Sequence, residues 1–330
     1  MVLKKILAFL AFVTLSPPVI ATAWPVSQEQ NQEEQKYEQL NKIVDSFYDN
    51  FESKEINAQN LENAWELLRK YPDDPYFYDL WSSIEWVLLG HELGVGLDKQ
   101  KNISDNVELA GRAKKYHEIV GQGFKLASSQ DNHKHLLAQA ILLFSQAKFI
   151  YRFEGNLSGL SQADKDTADG IKVLKRILKE NPNFHSVYFF LGATRYGLAS
   201  KTDPLSFKRL FVRWKSYAYN ELYYFADDDV FNKSTALKWI EKSYENSYDE
   251  PWLKKTWLES ALLLAEVYDD QREEFKNSGK SKNEWLILEK EVPLLKRLVT
   301  TFPNRKDMAK KLELANPRLK VLSNYFSSKK

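Results

Sequence analysis

Gly90-His91-Glu92-Leu93-Gly94-Val95 begins as a zinc-protease pattern does, with a glutamate directly after a histidine. That chemistry needs a second imidazole one helical turn on, so that two nitrogens hold the metal while the glutamate serves as base. Val95 stands at that position, and one imidazole cannot build the site. His133 and His135 are two residues apart, which sends their rings to different faces of a helix. No histidine follows a glutamate by three residues, the spacing that carboxylate-bridged di-iron sites use. Ser161 to Gly170 (SQADKDTADG) approaches a calcium loop, but Ala168 and Asp169 fall where an acid and a glycine are required. The same residues read better as a helix start, with Ser161 as N-cap and Asp164 near the positive end of the dipole. Asp227-Asp228-Asp229 has the same reading ahead of a helix over 230–247. The expectation is no metal and no cofactor.

Acid–base chemistry is no better provided for. Glu259-Ser260 matches the dipeptide around the catalytic glutamate of lytic transglycosylases, without the Gly-Leu-Met-Gln segment those enzymes carry. A general acid needs a partly desolvated carboxyl, and Glu259 lies in an ordinary amphipathic pattern. The chain also has neither a glycine-rich phosphate loop nor a nucleophile elbow.

The residue pattern best suited to binding is Leu205 to Phe225, LSFKRLFVRWKSYAYNELYYF. Phe207, Leu210, Phe211 and Trp214 form one apolar stripe, and Lys208, Arg209, Arg213 and Lys215 lie off it. Aromatics beside cations suit sugar faces, anionic groups or a partner's aromatic anchors. A packed helix with a solvated basic face gives the same pattern. Together with Tyr188, Arg195 and Tyr196, the residues Arg209, Arg213 and Trp214 are the expected ligand or partner contacts.

The elements that must position these residues repeat a phrase: an amphipathic stretch, a proline, then an aromatic-rich stretch. LLRKYPDDPYFYDLW runs from Leu67, ILKENPNFHSVYFFLG from Ile177, and LLKRLVTTFP from Leu294. Proline cannot continue a helix, so each of these marks a corner between antiparallel helices. Apolar residues recur at three- and four-residue steps from Tyr37 to Phe51. Helices are expected from Pro75 to about Leu93, and over 106–128, 134–153, 162–181, 184–200, 204–224, 230–247, 251–276, 282–302 and 305–326. No segment alternates with period two, so the fold class is all-α.

Tyr188, Leu191, Gly192 and Tyr196, in YFFLGATRY after Pro182, resemble the first helix of a tetratricopeptide repeat, with the last tyrosine one place late. That helix carries a large aromatic, Leu-Gly three residues on, then a tyrosine. The glycine admits a close partner helix. Over about half of the chain, the resemblance implies antiparallel helix pairs in an irregular right-handed superhelix, an α-solenoid that binds a protein or peptide on its concave face.

Composition sets the compartment. Lys4 and Lys5, the apolar run Ile6–Leu15, Pro17-Pro18 and Ala21-Thr22-Ala23 have the order of a signal peptide. The expectation is cleavage after Ala23, leaving one helical-repeat domain over 24–330, exported to a bacterial periplasm or secreted, with no membrane anchor. There are no cysteines, which excludes disulfides and thiolate sites. Removing Lys4 and Lys5 from 47 basic residues leaves 45 against 45 acidic ones, so nothing favours nucleic acid. The functional expectation is a non-enzymatic scaffold that binds a protein or peptide, or a small organic ligand. The alternatives are a cell-wall enzyme on a helical frame and a ligand-binding accessory of a solute transporter.

Overall fold

A computed structural model describes residues 28–94, 102–103, 106–154, 157–201, 215–225, 228–246 and 250–328. The chain divides into two compact units, Met1–Lys36 and Tyr37–Lys330. Of the first, the described part is the opening of helix α1 (Gln28–Asp49); every other element belongs to the second.

The described elements are all helical. After α1 come α2 (Lys54–Lys70), α3 (Pro75–Glu92), α4 (Val107–Ala127) and α5 (His133–Phe149), which runs on as one π turn (Ile150–Glu154). Then follow α6 (Leu157–Glu180), α7 (Val187–Lys201), the short α8 (Tyr217–Tyr223) and α9 (Lys233–Asn246). A 3₁₀ turn (Pro251–Leu253) leads into α10 (Lys254–Asn277), followed by α11 (Ser281–Thr301) and α12 (Lys306–Ser327).

Short polar side chains start several of these helices, accepting from first-turn backbone N–H groups that have no partner within the helix. Asp74 accepts from Tyr76 N at 3.0 Å with Pro75 in the first turn, and Asn106 accepts from Leu109 N at 3.1 Å. Asn132 accepts from His135 N at 3.0 Å, and Asn232 from Ser234 N at 2.9 Å. The three proline corners share one hydrogen-bond pattern. Before each proline, Tyr71, Asn181 and Phe302 donate to the carbonyl four residues back, at 2.8, 2.7 and 2.8 Å. Two residues after it, Asp74, Phe184 and Arg305 donate back to those same three residues, at 3.3, 3.1 and 3.1 Å. The repeated phrase is thus a repeated turn. Pro293 and Pro317 instead lie inside α11 and α12, on exposed positions where the carbonyl they leave unpaired can face water.

Two expected boundaries move. The helix expected from 162 begins at Leu157, so Ser161 is interior and caps nothing. The helix expected over 204–224 is broken at Ser216, whose extended backbone caps α8; residues 202–214 lie outside the described residues. Asp164 serves α8 rather than its own helix, accepting from Ser216 Oγ at 2.7 Å, Tyr217 N at 2.6 Å and Ala218 N at 3.2 Å.

Sequential helices pack pairwise from α2 to α6 and from α9 to α12, and α3 also packs on α5. Between these runs α7 pairs chiefly with α9, while α8 turns aside onto α6. At this pairing Gly192 does what its place in the phrase requires. A Cβ there would meet Ile240 Cγ1 at 2.7 Å and the Ala236 carbonyl at 3.0 Å, so only glycine allows the approach.

The second unit also closes on itself. Tyr48 of α1 donates to Glu259 of α10 at 2.9 Å, and Lys254 pairs with Asp45 at 2.5 Å. Asp49 accepts from both the backbone and the side chain of Asn304, at 2.9 and 2.8 Å. Trp252 ties the first two corners together, its ring 5.1 Å from Tyr76 and 6.1 Å from Phe184. Aromatic pairs at such spacing add about 0.5–1.5 kcal/mol beyond burial.

Candidate functional site

The inner faces of α3, α5, α6, α7 and α10, with the end of α1 and the starts of α8 and α12, line an open cavity of about 1800 Å³. Its wall is largely aromatic and aliphatic: Phe47, Trp86, Phe144, Phe189, Phe190, Leu262 and Leu263 all reach it. Helices α3 and α5 are buried around most of their circumference, which is why their sequences read as apolar on every side.

Polar residues within that apolar setting form the floor. Asp79, on α3, and Glu259, on α10, flank the ammonium of Lys255 at 2.8 and 3.2 Å. Asp79 and Lys255 side chains are 2 and 7% exposed, so the pair is almost wholly out of water. Tyr48 completes the group through its bond to Glu259 Oε1. Tyr116, also on the wall, donates to the Ser145 carbonyl at 3.1 Å.

Electrostatics fix the charge states of this floor. Burial alone would raise Glu259, but Lys255, Lys148 and the Tyr48 hydroxyl outweigh it and hold the carboxyl below its ordinary range. Burial would lower Lys255, yet Asp79 and Glu259 push it above the usual lysine value. Tyr48 and Tyr116 are pushed upward, chiefly by burial. At neutral pH the floor therefore holds the Glu259 carboxylate, the Lys255 ammonium and two intact phenols.

Two further groups on the wall can meet a guest. Lys148 is exposed and makes no ion pair among the described residues. The Trp86 indole N–H is buried without a hydrogen-bond partner among them. Beside it the Arg152 guanidinium stacks on the Trp86 ring at 4.2 Å and donates to the Trp86 carbonyl at 3.2 Å. At the rim Arg305 lies over the Phe51 ring at 5.4 Å, and His91 meets the Phe51 carbonyl at 3.0 Å. Among the described residues no cluster of three His, Cys, Asp or Glu side chains is placed to hold a metal ion.

Of the six binding residues expected from sequence, the three that are described lie away from the cavity. Arg195 is fully buried on the opposite side of α7, ion-paired with Asp228, donating to the Asp229 carbonyl at 2.5 Å and stacked 4.9 Å from the Trp239 ring. Tyr188 faces the same way, with Lys242 3.9 Å above its ring. Tyr196 donates to Asp270 at 2.7 Å. None of the three lines the cavity. Arg209, Arg213 and Trp214 lie outside the described residues. Successive helical residues are turned by about 100°, so the face of α7 that meets the cavity is formed by Phe189, Phe190, Ala193, Thr194 and Gly197 instead.

The floor did leave a trace in the sequence. Asp79, Ser82 and Glu85 interrupt an otherwise apolar α3 at three-residue steps, and all three are buried. Polar groups on such a helix need partners, and Lys255 with Arg112 are those partners for Asp79 and Glu85.

Comparison of the chain with protein-family models, curated proteins and solved structures finds no match. Among the described residues no helix is long and apolar enough to cross a membrane.

Proposed function

We propose that the protein is an exported, non-enzymatic helical array of the tetratricopeptide-like kind that captures an apolar segment of a partner polypeptide in its central cavity. The observation that carries this reading is the cavity itself, about 1800 Å³ with an aromatic wall and a pre-paired ionic floor. Small-molecule pockets usually measure roughly 300–1000 Å³, so the space suits several side chains of a peptide better than one metabolite. Support for the repeat kinship comes from the common geometry of the three proline corners and the close helix approach at Gly192. A peptide brings N–H and C=O groups in pairs. The Glu259 carboxylate, whose bonds from Tyr48 and Lys255 both fall on Oε1, and the Lys148 ammonium can receive one of each.

The charge state of Glu259 argues against a general acid at that residue. A general acid at neutral pH requires a carboxyl held up, and Glu259 is held down.

Gly197 gives a direct test. It lines the cavity, and a Cβ built on it meets nothing within 4 Å. Gly197→Trp should fill the space while leaving the fold intact by circular dichroism, and Gly197→Ala should do neither harm nor block. A photo-crosslinking residue at Leu263, in intact cell envelopes, should capture a polypeptide from the Gly197→Ala background and not from Gly197→Trp. Equal capture in both removes the cavity from the function. Release of soluble fragments from peptidoglycan by the purified protein would replace the proposal with the cell-wall enzyme.

A further inference from the structure

Helix α12 has two apolar stripes, and among the described residues only one is covered. Met308, Ala315 and Leu322 recur every seven residues and are buried against the body, at 1, 0 and 5% exposure. Leu314, Val321 and Tyr325 lie roughly 60–120° around the helix from them by the helical repeat, and are 60, 58 and 47% exposed. A solvated helix face is ordinarily polar, and this one departs from that rule. Pro317, between Leu314 and Val321, is exposed too.

The rim of the stripe is basic. Lys306, Lys310 and Lys320 are exposed and make no ion pair among the described residues, and Glu313 is the one exposed acid on that side of the helix. The remaining cations nearby are engaged: Arg318 with Glu284 at 2.7 Å, and Lys311 with Glu266 at 3.1 Å. Excess positive charge around an apolar seam repels a second copy of the same face and favours an acidic partner.

We propose that the outer face of α12 docks an acidic amphipathic helix of a partner protein. Its apolar side would lie along Leu314, Val321 and Tyr325, and its carboxylates would meet Lys306, Lys310 and Lys320. The stripe runs from Leu314 to Tyr325, roughly 16 Å of helix, and Lys306 lies roughly 12 Å before it, so the partner helix spans about five turns, read at i, i+3, i+4 and i+7. It is a narrow seam rather than the broad apolar face that an interfacial membrane helix buries. This inference is independent of the cavity.

The test uses the full chain and two labelled helical peptides that share one leucine face. One peptide carries glutamate flanks, the other lysine flanks. By fluorescence anisotropy the glutamate peptide should bind at least about tenfold more tightly. Leu314→Gln with Val321→Gln should abolish that binding without lowering the melting temperature. Lys306→Glu, Lys310→Glu and Lys320→Glu together should reverse the preference. Equal affinity for the two peptides, or binding that survives the Leu314 and Val321 changes, overturns the proposal. So does sedimentation with phosphatidylglycerol vesicles that the same changes abolish, which would assign the face to a membrane. A dimer dispersed by those changes would assign it to a second copy.

Discussion

Helix α10 carries two buried ionic clusters that solve the same problem in opposite ways. At its start, Glu259 shares Lys255 with Asp79 and takes a further bond from Tyr48, and its carboxyl is held down. At its end, Arg272 bonds Glu291 of α11 at 3.0 Å but also serves Asp269 and Glu273. Burial pushes Glu291 up to about 7, Asp269 adds to the push, and the pulls of Arg272 and Lys311 do not compensate. Both carboxylates have a cation in contact. The difference lies in how many other anions draw on that cation and in whether a hydroxyl donates as well. An ion pair's sign and strength follow from the whole cluster, not from the pair.

The comparison can be broken most forcefully at Lys255. Lys255→Met strands Asp79 and Glu259 in a dry floor, and should cost about 3–5 kcal/mol in urea unfolding at pH 7. A loss below about 1 kcal/mol would mean that water reaches the floor and that the cluster is not closed.

Next comes the pH profile of Glu291. Its folded value lies above its ordinary 4.5, so its contribution to stability is complete below 4.5 and is lost as pH rises through about 7. Wild-type stability should therefore fall by up to about 3 kcal/mol between pH 5 and pH 8. Glu291→Gln should flatten that fall; an unchanged slope would place the titration elsewhere. Arg272→Met sharpens the same point, with a larger loss at pH 8 than at pH 5, because the stranded Glu291 can take a proton at the lower pH.

Glu259→Gln should have the smallest effect, about 1–2 kcal/mol, because Lys255 keeps Asp79. That loss should be the same at pH 5 and pH 8. Glu259's contribution is present above 4.5 and disappears only as pH falls through its lowered value. A loss that changed between pH 5 and pH 8 would make Glu259 a second Glu291.

Much of the frame was legible in the residues. Asp74-Pro75 starts α3, and Tyr71-Pro72, Asn181-Pro182 and Phe302-Pro303 end helices, because caps and prolines act on backbone groups within four residues of themselves. Gly192 was legible as a close-packing position for the same reason: its neighbours Tyr188, Leu191 and Tyr196 form one local pattern. The misjudged boundaries were those where a side chain serves a distant element. Asp164 reads as the acid of its own helix and instead caps α8, more than fifty residues on.

The candidate site was legible only in fragments. Arg195 and Tyr196 carry the aromatic–basic character of a binding surface, but Trp239, Asp228 and Asp270 consume it inside the fold. Phe189 and Gly197, on the same helix, look unremarkable as residues and face the cavity.

By itself the sequence determined that the described part of this chain is built of helices, and where its three proline corners fall. Periodicity, caps and prolines are local and leave little freedom. Tertiary structure alone decided which face of α7 opens on the cavity, and that Lys255 meets Asp79 across 176 positions of chain. An apolar stripe states that something must cover it, and a buried charge that something must pair with it. Neither names the partner until the helices are packed.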